Sequence, residues 1–117
     1  MENEFELNLA NILDERETAL VGREHGEEVL KLLKEKKYIL KELEEKYEQI
    51  LIEIPKKIVT INKSFFLGLF ETRIQEMGKE KFENKYVFKT SEHIVEKIKK
   101  HINAALLNAT QKEIVYE

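Results

Sequence analysis

An α/β fold, with a small sheet of about four strands and helices packed on it, is what the hydrophobic pattern of this chain predicts. Three observations carry that reading. Apolar stretches of strand length, at Phe5–Leu9, Ile50–Ile54 and Tyr86–Phe88, alternate with longer stretches whose apolar residues recur at helical spacing. The order reads β, α, β, α, β, α, which favours helices packed on a sheet over segregated layers. Finally, the β-branched run Ile58-Val59-Thr60-Ile61 stops at Asn62-Lys63-Ser64 and a helical apolar pattern begins at once.

Taken in order, Phe5-Glu6-Leu7-Asn8-Leu9 alternates apolar and polar, the period of a half-buried strand. Asn11 to Gly22 reads as a loop, with Leu13, Leu20 and Val21 as anchors. A helix starts near Gly22 or Arg23. Val29, Leu32, Leu33, Leu40, Leu43 and Tyr47 form its stripe, and Glu27–Lys31 and Glu42–Lys46 make i,i+4 pairs on the wet face. That helix either runs to about Glu48 or breaks near Lys36-Lys37-Tyr38, where the stripe loses register. Ile50–Ile54 is nearly continuous in apolar character, as expected of a strand covered on both faces. Pro55, the only proline, lacks a ladder donor and marks the end of that strand.

From Ser64 a helix carries Phe66, Leu69, Phe70, Arg73, Ile74 and Met77 and ends at Gly78, a residue suited to the position after a helix. Lys79–Lys85 is a charged connection anchored by Phe82, and Tyr86-Val87-Phe88 is a short strand. Thr90 or Ser91 caps a last helix with Ile94, Val95, Ile98, Ile102, Ala105 and Leu106 on its buried stripe. The tail from about 110, including Glu113–Tyr116, is either a final strand or unstructured. With no repeat, linker or low-complexity tract, residues 1–117 read as one domain.

Composition excludes several classes. The chain of 117 residues is 42% hydrophobic and 37% charged, a soluble, globular balance. Its net charge of −3, from 23 acids and 20 bases in mixed order, argues against a dedicated nucleic-acid binder. The absence of cysteine removes disulfides, thiol nucleophiles and zinc–thiolate sites, and it fits the cytoplasm. No apolar run approaches the ~18 residues of a membrane span. The start Met1-Glu2-Asn3-Glu4 has neither a basic nor an apolar signal region, so no secretory leader is expected.

The strand-to-helix junction is the candidate site. A helix N-terminus gathers unpaired amides and the positive end of a dipole, so an anion there, such as a phosphate on Ser64, has a physical consequence. Ser64 or Asn62 serves as the cap. Phe66 and Phe70, four residues apart, share the core face, while Phe65 points about 100° away. Phe65 is either an exposed interface anchor or packed under the Asn11–Val21 loop. Arg23 and His25 open a helix where the dipole disfavours cations, so they call for a partner: a bound anion, or a carboxylate such as Asp14 or Glu27. Gly26 in the first turn suggests close backbone packing. His93 and His101 are eight residues apart with Lys97 midway, which does not suit a metal, and the three histidines read as solvated surface residues. No phosphate loop and no nucleophile–base–acid set is present, so neither a metal, a cofactor nor catalysis is expected.

Three stretches together resemble the STAS-like domain family: Arg23-Glu24-x-Gly26 opening a helix, then Ile50–Ile54 with Ser64-Phe65-Phe66-Leu67-Gly68-Leu69-Phe70, then Lys81-Phe82-x-x-Lys85-Tyr86-x-Phe88. The likeness spans about Phe5 to Asn108. Such domains occur in bacteria and mobile elements, sometimes beside histidine-kinase-type ATPase domains. In the related anti-sigma factor antagonists, a serine at this helix start is phosphorylated and the partner is released. The resemblance places Ser64 at that position and Asn62 at the usual acidic one. Asn62-Lys63-Ser64-Phe65 stands where the antagonists have Asp-Ser-Ser-Gly. The resemblance implies a non-enzymatic regulatory module that binds a kinase-like ATPase or another regulator through Asn62, Lys63, Ser64, Phe65 and Gly68, with Ser64 as phosphoacceptor. Its alternatives are self-association through the long helix, as in a phage or counter-defence protein, and nucleotide binding near the junction.

Overall fold

The computed structural model describes the backbone of residues 2–116 and the side chains of residues 3–107. Three strands, β1 (Glu2–Asn8), β3 (Tyr47–Glu53) and β5 (Tyr86–Lys89), form a parallel sheet in the spatial order β1-β3-β5. Two very short strands, β2 (Ala19–Leu20) and β4 (Thr60–Ile61), pair separately as a parallel ribbon. The helices are α1 (Arg23–Glu35), α2 (Leu40–Lys46), α3 (Lys63–Met77), α4 (Lys79–Lys85) and α5 (Glu92–Tyr116), with a 3-10 turn at Leu9–Asn11 after β1. The α/β class is as the alternating pattern predicts. The described strands number five in two sheets, not four in one, and the tail is helical because α5 continues to Tyr116.

β3 is the central strand. Ile50, Leu51 and Ile52 are buried in succession, so both of its faces are covered. Ile50 and Ile52 belong to the single hydrophobic cluster that also holds Leu7, Val29, Leu33, Phe66, Phe70, Ile74, Phe82, Ile94 and Ile98. Leu51 lies outside that cluster, in register with Glu6 on one side and Val87 on the other. Phe70 is surrounded by rings: the centroids of Phe66, Phe82, Tyr86 and Phe88 lie 5.2–5.6 Å from its own. Each of the fully buried rings, Phe66, Phe70 and Phe82, stabilises the fold by about 1.5–3 kcal/mol, and Phe88 is only partly buried.

The long helix breaks after Glu35. Lys37 takes φ 72°, the left-handed conformation, and the Tyr38 N–H then reaches back to Leu33 O (2.8 Å) while Lys37 N–H reaches Lys34 O (3.0 Å). This is a Schellman ending with lysine in the seat usually given to glycine. Tyr38 turns inward and packs against Phe5 with ring centroids 5.7 Å apart. Of the two courses the pattern allows, the break near Lys36-Lys37-Tyr38 is the one taken, and Val29, Leu33, Leu40 and Leu43 of the stripe are buried within the chain.

Helices α1 and α3 touch backbone to backbone at two glycines. A Cβ on Gly26 would sit 2.2 Å from Phe65 O, and one on Gly68 would sit 2.3 Å from Arg23 O. Only hydrogen fits at either position. That close crossing explains why the six residues from Phe65 to Phe70 are all buried: α3 lies between α1, α5 and the sheet.

At the other end of α3 the Arg73 guanidinium clasps Glu44 of α2 through Nε (2.8 Å) and a second nitrogen (2.5 Å), and the Tyr86 hydroxyl donates to the same carboxylate at 2.5 Å. Burial first, and then the hydrogen bond to Glu44, raises the phenol of Tyr86 well above its ordinary range. Lys85 donates to the carbonyls of Glu44 (2.9 Å) and Tyr47 (2.7 Å), which lets α2 run directly into β3 without a loop.

Candidate functional site

The junction before α3 is built by Asn62. Its side-chain oxygen accepts from Phe65 N–H (2.9 Å) in the manner of an N-cap, and also from Gly22 N–H at 3.2 Å. Asn62 N–H donates to Leu20 O (3.0 Å), and Val59 N–H donates to Thr18 O (2.8 Å), so the β2–β4 ribbon and the start of α1 are fastened to the same residue. Asn62 is thus the cap, which leaves Ser64 in the first helical turn with an exposed side chain and no hydrogen-bond partner among the described residues. The amides of Lys63 and Ser64 have no protein acceptor among them either, and Lys63 is exposed beside them.

Two of the predicted interface residues are elsewhere. Phe65 is 2% exposed and lies against the His25 ring, centroids 5.3 Å apart, so it is a core residue and not an interface anchor. Gly68 is closed off by the backbone of Arg23. The surface that sequence reasoning assigned to five residues reduces to Asn62, Lys63 and Ser64. The signal for this correction is present in the chain: Phe65–Phe70 has no polar side chain in any direction around the helix, the mark of a central helix.

Arg23 and His25 meet carboxylates within the chain. Arg23 pairs with Glu71 at 3.4 Å and His25 with Glu17, so the expected partners Asp14 and Glu27 give way to residues on α3 and in the loop before β2. Both side chains thus meet carboxylates of the chain itself at the start of α1. Glu17 also accepts from Asp14 N–H (2.8 Å), and Lys57 donates to the carbonyls of Asp14 and Glu15, which ties that loop down.

His101 is half-buried, not a solvated surface residue. Its Nε2 donates to Ile61 O at 2.9 Å, and Lys97, one turn earlier on α5, donates to the Thr60 hydroxyl at 3.0 Å. Desolvation, and then the positive charges of Lys97 and Lys63, lower the His101 pKa below its ordinary value, with the hydrogen bond to Ile61 opposing. The electrostatic reach of Lys63 and Lys97 to one imidazole places two cations around the β4–α3 junction. Val21 and Val59, 52% and 65% exposed, flank the same ribbon. Leu13 and Leu20 anchor their loop as expected, but Val21 faces solvent. These two valines and Lys97 are the surface residues that reading the sequence did not select.

No group of three or more acidic, histidine or cysteine side chains that could hold a metal is found among the described residues, and no described helix is long and apolar enough to cross a membrane. A cleft of about 750 Å³ opens at the carboxyl ends of β1, β3 and β5, away from the junction. Comparison with protein-family models, with curated proteins and with solved structures finds no match to this chain.

Proposed function

We propose that this chain is a non-enzymatic regulatory module that docks a protein partner through the N-terminal turn of α3, with Ser64 as the position where phosphorylation would end the contact. The observation that carries the reading is the exposed Ser64–Lys63 turn with its two open amides, held rigidly by Asn62. The docking surface comprises Asn62, Lys63 and Ser64, with Lys97 adding positive charge and Val21 and Val59 adding apolar contact beside them. This combination suits a partner with an acidic, partly apolar face, such as a regulator or a kinase-like ATPase.

A phosphate on Ser64 would add about −2 charge beside the helix N-terminus, where the chain tolerates it but an acidic partner does not. The STAS-like resemblance of the Ser64–Phe70 block supports the same assignment. The test is quantitative affinity capture with the wild-type chain, Ser64→Asp and Lys63→Glu. A partner held by the wild type and lost by both variants, with neither variant melting below the wild type, supports the assignment. Equal retention by all three removes it.

A further inference from the structure

The cleft at the carboxyl edge of the sheet is built from parts that the fold itself leaves unused. The strands end together on one rung, Asn8, Glu53 and Lys89, and then leave in different directions. Pro55 bends the chain away from β3 just after the last ladder bond, Ile54 N–H to Lys89 O at 3.1 Å. The space that opens, about 750 Å³, is within the size range of small-molecule sites. Ile54 and Ile58, both buried, and Pro55 give it an apolar floor.

Lys56 and Lys89 stand on its walls with exposed side chains, and neither ammonium has an ion-pair or hydrogen-bond partner among the described residues. Their neighbours are different. Lys57 is spent on the loop before β2, Lys85 on helix carbonyls and Lys97 on Thr60. Glu53, half-buried in the same wall, is likewise unpaired and closes no salt bridge with either lysine. Two free cations, one free carboxylate and an apolar floor around one cleft match a ligand with a phosphate at one end and hydroxyls at the other.

From this geometry we infer that the cleft binds a small phosphorylated polyol: Lys56 and Lys89 hold the phosphate and Glu53 accepts from its hydroxyls. The inference goes beyond the docking surface and shares no residue with it. The probes are ribose 5-phosphate, inorganic phosphate and ribose, titrated into ¹⁵N-labelled full chain while amide shifts are followed. Ribose 5-phosphate is expected to shift Glu53, Lys56 and Lys89 saturably, more tightly than inorganic phosphate and far more tightly than ribose. Replacing both lysines (Lys56→Ala with Lys89→Ala) is expected to weaken it roughly tenfold or more, with the melting temperature unchanged because both side chains are exposed. The proposal is overturned by the absence of a saturable shift up to ~10 mM, the weak end of ligand affinities. It is equally overturned by full affinity in the double variant, or by ribose or inorganic phosphate binding as tightly as ribose 5-phosphate.

Discussion

Alanine in place of Gly68 tests the packing of α3 through the sign of its effect. In an ordinary helix interior the change stabilises by about 1 kcal/mol, because alanine is the better helix former. Here the new Cβ would lie 2.3 Å from Arg23 O, 3.1 Å from Arg23 C and 3.2 Å from Arg23 Cα. A carbon–oxygen contact relaxes only beyond about 3.3 Å, and the obstacle is backbone, so α1 and α3 must separate by ~1 Å. That gap loosens Val29, Leu33, Phe65 and Leu69, all buried in the common core. A radial gap of this size forfeits a quarter to a half of each contact's attraction, and overpacking of this kind costs about 1–3 kcal/mol. After the helix-propensity gain of about 1 kcal/mol, the expected net loss is up to about 2 kcal/mol, or up to roughly 8 °C in melting temperature. Urea unfolding followed by circular dichroism measures it. Gly26→Ala should behave alike, and the two together should cost less than their sum because one displacement relieves both clashes. A gain of about 1 kcal/mol in either single variant would refute the close crossing.

Further expectations concern other parts of the fold. Lys37→Gly, at the left-handed position that ends α1, should stabilise by about 0.5–1 kcal/mol in the same urea assay. Glu44→Ala leaves Arg73 and Tyr86 without their shared acceptor and should cost about 3 kcal/mol, whereas replacing both Glu44 and Arg73 by methionine should cost less than either single change. His101 has a lowered pKa in the folded state, so the unfolded chain binds the proton more readily. Stability should therefore fall as pH drops below about 6.5, the unfolded value, toward the folded one, and His101→Gln, which keeps a donor for Ile61 O, should flatten that slope in thermal melts at pH 7 and pH 5. Ser64→Asp should raise stability by roughly 0.3–1 kcal/mol at low salt, since the charge sits in the first turn of α3.

Much of the fold is legible in the chain because its strongest signals are local. The apolar run Ile50–Ile54 marks the central strand, the β-branched stretch up to Ile61 leads straight into α3, and Gly78 at φ 83° ends that helix as expected. The missing parts depend on tertiary contact. β2 and β4 have two residues each, too few for any periodicity to register, and they exist because Asn62 and Leu20 join them. Lys79–Lys85 is charged or polar all round except for Phe82, so its seven-residue helix is not visible in hydrophobic pattern and owes its form to Phe82 entering the aromatic core. The break at Lys37 replaces the expected glycine by a lysine, and the cue there is the lost stripe alone.

The place of the strand-to-helix junction was legible, and which of its residues face solvent was not. A capped strand-to-helix junction can be read from Asn62-Lys63-Ser64, but not which residue caps it: both Ser64 and Asn62 suit the role, and the structure gives it to Asn62. Which way Phe65 faces cannot be read either, because that depends on α1 crossing at Gly26 and Gly68. Charge partners were the weakest inference: Glu71 is forty-eight residues from Arg23 and Glu17 is eight from His25, and no local spacing announces either pair.

Amide hydrogen exchange on the chain alone and saturated with its captured partner tests the docking claim most directly. The account predicts new protection at Lys63 and Ser64 and at Val21–Gly22, with the β1 and α4 amides unchanged. Protection confined to other surfaces, with the Lys63–Ser64 turn exchanging as fast as in the free chain, would contradict it.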